Sequence, residues 1–163
     1  SANAGCQRAM MNLAQVVQVL SAQIGKPVRL SQHGTVRLNY ENRLDLILET
    51  RSDFDLYFYG VLGELPLDDA EMVYQRLLQW QLLGQFTGHA SFAIDLVHRQ
   101  VLIQRHLDLR VVEPTDLVEA IQDFFIRFDH WQTRWLLPDD GSASQASVAE
   151  APVGLQSVGW IRA

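Results

Sequence analysis

The sequence is short of cysteine, lysine, proline and long apolar runs, and each scarcity excludes something. A single thiol, Cys6, makes no disulfide within the chain and has no CxxC neighbour for redox or metal chemistry. No apolar stretch approaches the roughly 20 residues that cross a bilayer. The first residues lack the charged-then-apolar pattern of a signal peptide. Together these predict a cytoplasmic protein with no membrane insertion. Positive charge is scarce too: 13 Lys plus Arg face 19 Asp plus Glu, a net charge of −6, and Lys26 is the only lysine. A nucleic-acid groove needs a concentrated positive footprint, so nucleic acid is excluded as a partner. There is no GxGxxG, and Gly25-Lys26 runs into Pro27 rather than Ser or Thr, so no phosphate loop is present.

What remains is 163 residues, 48% apolar and 20% charged, enough for one domain with its own core. Residues 1–9 read as an N-terminal extension or cloning remnant, with Met10 or Met11 a native start. Residues 10–137 read as the folded domain. Residues 138–163 read as a flexible C-terminal tail, rich in Ser, Ala, Gly and Pro. Within it, Val153 to Ile161 regains Val, Leu, Trp and Ile, a possible docking segment. The tail holds Asp139, Asp140, Glu150 and Arg162, net −2, which leaves −4 on the rest.

Periodicity predicts the elements. Leu13, Val17, Leu20 and Ile24 mark one face of a helix over 8–24, stopped by Gly25 and Pro27. Val28-Arg29-Leu30, Val36 to Tyr40 and Leu44 to Leu48 alternate apolar with polar, the mark of antiparallel strands covered on one side. Phe54 to Leu62 is apolar on both faces and suits an inner strand. Asp68 or Asp69 can cap a second helix that runs to about Leu83, with Gly84 at its C-terminal turn. Ala70, Val73, Leu77 and Trp80 form one stripe of it, and Leu78 and Leu82 lie on another flank. A helix apolar on two sides is covered on two sides, and in a domain this small another chain can supply one of the covers. Phe92 to Leu96 and Val101 to Leu109 form a hairpin. Pro114 opens a third helix whose stripe is Leu117, Ile121, Phe124, Phe128, Trp131 and Trp135. The order α-β-β-β-α-β-β-α predicts an α+β fold, a twisted, mostly antiparallel sheet of about five strands with three helices.

Chemistry is sparse. His98 and His106 share strand parity but lie roughly 26 Å apart, too far for one metal ion. His89 and His98 could face each other, yet no cysteine completes a site. Asp53 with Asp55, and Asp68-Asp69-Glu71, are carboxylate groupings that a strand edge and a helix N-terminus already explain. Trp131 and Trp135 fit core packing better than a ligand platform. The expectation is no catalytic residue, no metal and no cofactor. An excess of apolar sheet surface over what three helices cover points instead to a protein partner.

The order of these elements resembles the class I type III secretion chaperones, the CesT/Tir chaperone-like family, over about Leu13 to Leu137. The similar phrases are Leu56-Tyr57-Phe58-Tyr59-Gly60-Val61-Leu62-Gly63-Glu64-Leu65-Pro66, the paired Leu77-Leu78, Phe92-Ala93-Ile94-Asp95 and Val101-Leu102-Ile103. The chain departs from the family at Trp80-Gln81, where Asn is common, and in the Gly84–Ser91 stretch. The resemblance implies a homodimer in the bacterial cytoplasm, with no catalytic activity. Its partner would be a secreted effector, whose N-terminal chaperone-binding segment is held extended and secretion-competent. An adaptor of the same fold that sequesters a regulator or other non-secreted protein is the alternative. The expected effector surface is Val36, Leu38, Leu44 and Leu46 with exposed positions of the first helix. The expected dimer interface is Leu78, Trp80 and Leu82.

Overall fold

The computed structural model describes residues 10–40 and 42–136. Residues 1–9 and the tail lie outside the described residues. Helix α1 spans Leu13–Ile24. Strands β1 (Thr35–Tyr40), β2 (Leu44–Thr50) and β3 (Asp55–Glu64) follow. Helix α2 (Ala70–Gln81) continues into a single 3-10 turn, Leu82–Gly84. Strands β4 (Ser91–Asp95) and β5 (Gln100–Asp108) precede helix α3 (Pro114–Arg134). The five strands form one antiparallel sheet in the order β1-β2-β3-β5-β4, so β3 is an inner strand, as expected, and stands at the centre.

Three local expectations are corrected. α1 begins at Leu13 rather than near Arg8, because Asn12 and Gln15 form a reciprocal capping box that closes the helix there. Met11, upstream, is extended and buried, its N–H donating to the Leu109 carbonyl at 3.1 Å. Val28 to Leu30 makes no strand, only one bridge between Leu30 and Val36, since the Val28 N–H is taken by the Ser21 hydroxyl at 2.9 Å. Asp69 stands at the N-cap of α2 with φ +62° but makes no side-chain cap bond. The Pro114 start of α3 is as expected, and Asp116 accepts the Glu113 N–H at 3.0 Å.

All three helices lie on one face of the sheet. Phe58 of β3 meets Phe124 of α3 edge-on with ring centroids 5.1 Å apart, and Tyr40 of β1 meets Phe125 at 5.4 Å. Phe92 of β4 packs against Trp131 of α3 at 5.0 Å and against Trp80 of α2 at 6.5 Å. α3 sits close over β3: a Cβ on Gly60 would lie 2.3 Å from the Phe128 ring. Arg105 of β5 is carried into this layer, where it donates to the Ala120 carbonyl and the Asp123 carboxylate, and burial pulls its pKa down. The α2–β4 connection is pinned by Gln81, which donates to the Thr87 hydroxyl and the Ala90 carbonyl and accepts the Phe92 N–H.

Candidate functional site

The expected effector residues are in the core. Val36, Leu38, Leu44 and Leu46 are all fully buried, since their face of β1 and β2 is the one that α1 and α3 cover. An arriving chain cannot touch these side chains. Alternation reveals that one face is apolar, not whether helices lie over it. Trp80 is corrected in the same way. It is 6% exposed and packs on Trp131 at 4.8 Å, facing inward. Leu78 and Leu82, by contrast, are 72% and 59% exposed on the outer flank of α2.

Two surfaces remain beside the free sheet edges. The first is α1 with the outer edge of β1. α1 packs through Val16 and Leu20, while Ala14, Gln15, Gln18, Ala22 and Gln23 face out and Leu13, Val17, Val19 and Ile24 are half-buried on its flanks. None of its twelve residues is charged. The start of the β1 edge is covered by the Leu30 bridge and by the Ser31 N–H, which reaches the Thr35 carbonyl at 2.8 Å. Beyond Val36, β1 has no second strand partner among the described residues.

The second surface is a groove of about 240 Å³ between α2 and the β4 edge, lined by Tyr74, Leu77, Leu78, Phe92, Ala93 and Ile94. Leu82 and Leu83 follow α2 and are exposed, Leu83 at 88% with φ +53°. One signal in the sequence could have found both surfaces. Residues 9–25 and 77–94 are the two longest stretches without Asp, Glu, Lys or Arg. The first contains α1; the second runs from mid-α2 into β4.

Ionic groups gather on the opposite, helix-free face of the sheet. Asp45 accepts from Arg37 at 2.6 Å and from Asn39 at 2.8 Å, and both hold its carboxyl below the usual range. Asp55 is held down by the Ser52 hydroxyl and then by His106 across β3–β5. Asp108, bound twice by the Arg110 guanidinium, is lowered to about 2. Between these pairs lie Ile47, Tyr57, Tyr59, Val61 and Leu102, half-buried, with burial pushing the Tyr59 hydroxyl up. Arg43 of the β1–β2 turn pairs with Asp129 of α3.

The suggested histidine and carboxylate groupings do not converge. His98 bonds Asp95 in the β4–β5 turn, and His106 bonds Asp55. No group of three or more His, Cys, Asp or Glu able to hold a metal occurs among the described residues. No helix among them is long and apolar enough to cross a membrane. Trp131 and Trp135 are both buried; the Trp135 indole donates to the Leu62 carbonyl at 3.1 Å.

Residues 15–132 match the Tir chaperone protein (CesT) family. No curated protein matches the chain in sequence. The ExsC–ExsE complex is similar in structure, with TM-score 0.61 at 14% identity over 77% of this chain and 93% of that one. The HopA1–SchA chaperone–effector complex gives TM-score 0.59 at 13% identity, over 73% and 91%. The Yersinia pestis type III secretion chaperone SycH, solved with a stable fragment of YscM2, gives 0.56 at 13%, over 73% and 98%.

Proposed function

This chain belongs to the Tir chaperone protein (CesT) family, and from that premise we propose that it is a homodimeric type III secretion chaperone. It holds the N-terminal chaperone-binding segment of a secreted effector as an extended chain and keeps it competent for secretion. One observation carries the partner site: helix α1 is without a single charge, and among the described residues no second strand pairs with β1 from Arg37 to Asn39. An extended chain gains main-chain hydrogen bonds at such an edge, while its apolar side chains pack along the uncharged helix. The segment loses conformational freedom on binding, so a long contact path is required to offset that loss. The names of the structural neighbours, among them a chaperone–effector complex, support this reading.

The test is affinity capture from the native host with mass spectrometry, followed by titration of the captured protein. A secreted protein held through its N-terminal region is the expected outcome. Capture of a non-secreted regulator alone would replace the reading with the adaptor one. Gln18→Glu combined with Ala22→Glu should weaken the titrated affinity by about tenfold or more, because each new carboxylate would be desolvated without a partner. An unchanged affinity would remove α1 from the site.

A further inference from the structure

We propose that the connection between α1 and β1, residues 25–34, holds a carboxylate-bearing stretch of the partner segment and so fixes which way that segment runs along α1. The inference rests on the reading of α1 as the partner site. It starts from a lopsided distribution of charge. Every Asp and Glu of the chain lies beyond residue 40. Arg8, Lys26, Arg29 and Arg37 give residues 1–40 a net +4, and with a total of −6 the remainder carries −10. An acidic stretch is repelled by most of such a molecule and attracted to this one part of it.

The fold gathers three of these cations beyond the C-terminus of α1. The helix stops at Gly25, with φ +73°, and Lys26 follows at once. The Ser21 hydroxyl ties the connection to the last turn of α1, donating to the Val17 carbonyl at 2.7 Å and accepting the Val28 N–H at 2.9 Å. The antiparallel bridge between Leu30 and Val36 then sets Arg29 level with Arg37. Lys26, Arg29 and Arg37 are all exposed. The carboxylates that β2 places beside β1 are already engaged, Asp45 by Arg37 and Glu49 by Arg51. Lys26 offsets the negative end of the α1 dipole. Arg29 is left without a counter-charge: neither it nor Lys26 makes a side-chain hydrogen bond or an ion pair among the described residues. The surface thus changes character along its length, from a helix with no charge to a cationic end. A segment that is uncharged along α1 and carries Asp or Glu beside Arg29 fits in one direction only. Charges at the rim of a contact set register and encounter rate in this way and exclude the reversed arrangement.

The test titrates the captured partner against the full chain carrying Lys26→Glu with Arg29→Glu. Both side chains are exposed and unbonded, so the fold is kept, which the thermal midpoint checks. Affinity should fall by about tenfold or more. Raising salt from about 0.05 M to 0.5 M should weaken the unsubstituted chain and leave the reversed chain unweakened. Replacing the partner's Asp and Glu next to its apolar stretch by Lys should restore binding to the reversed chain, and the same exchange elsewhere in the partner should not. Unchanged affinity on reversal would overturn the proposal. So would tighter binding, which would show a cationic segment. Loss of binding to phosphatidylglycerol vesicles on reversal, with the partner's affinity unchanged, would assign these cations to a lipid surface and also overturn it. A partner weakened by the α1 double variant but not by the reversal would remove the cationic end and leave α1 as the site. A partner weakened by neither would remove both.

Discussion

Gly60 shows how little slack the core has. Its Cα faces Phe128 so closely that a methyl group would stand 2.3 Å from the ring. Phe128 cannot retreat easily, since it packs on Phe124, which in turn meets Phe58. Gly60→Ala should therefore destabilise the fold by about 1–3 kcal/mol, read as a lower urea midpoint. A neutral result would mean that α3 is free to lift from β3. At the other extreme, Leu83 is both strained, at φ +53°, and almost wholly exposed. A left-handed conformation costs a non-glycine residue about 1–2 kcal/mol, and no packing within the described residues offsets it. Its neighbours on the same patch are Leu78 and Leu82.

α1 and α2 each show two unlike faces. α2 buries Val73, Leu77 and Trp80 inward, and offers Met72, Leu78 and Leu82 outward. Leu78 and Leu82, one turn apart and both exposed, are the kind of apolar surface a second copy covers. Light scattering at micromolar concentration should find a dimer, and Leu78→Glu should convert it to monomer by placing a carboxylate in the contact. A chain that is monomeric before substitution would remove the dimer from the proposal. α1 differs in kind: its outward face is polar but uncharged, with glutamines and alanines. Such a face tolerates water and is cheap to desolvate, as a surface that exchanges partners requires.

Across the whole molecule, charge and apolar exposure are segregated. The net charge is −6, yet long stretches around α1 and from α2 into β4 carry none. Charges sit instead in pairs on the helix-free face, in the turns and along α3, where Asp123 meets Arg105 and Arg127, and a net charge of this size helps to keep apolar surface soluble. Among the described residues, four carboxylates are held below their usual range. Asp45 is lowered by Arg37 and then Asn39, and Asp55 by Ser52 and then His106. Asp95 is lowered by the His98 N–H and then its ring, and Asp108 to about 2 by Arg110. A carboxyl with a depressed pKa in the fold binds its proton later than in the unfolded chain. Its contribution to stability is thus complete above about pH 4 and lost as pH falls through the folded value. The unfolding midpoint should drop between about pH 4 and pH 2, and Asp108→Asn should lessen that drop. A midpoint constant across this range would show that these pairs do not hold in solution.

Neighbouring residues alone specify the order of the elements, the inner position of β3 and the buried stripes of α2 and α3. These are local properties. A period of two or of 3.6, closed by Pro, Gly or a cap, is written in adjacent residues, and Leu117 to Trp135 needed nothing more. The outward flank of α2 was legible for the same reason, because Leu78 and Leu82 lie off the stripe of Val73, Leu77 and Trp80. Which sheet face the helices cover is set by long-range packing, and it moves Val36, Leu38, Leu44 and Leu46 from the expected surface to the core. Long-range packing also closes Trp80 on Trp131, 51 residues further along the chain. An alternating strand is equally apolar whether a helix or a partner lies over it. What settles the matter is the packing of distant segments, which no window of neighbouring residues contains.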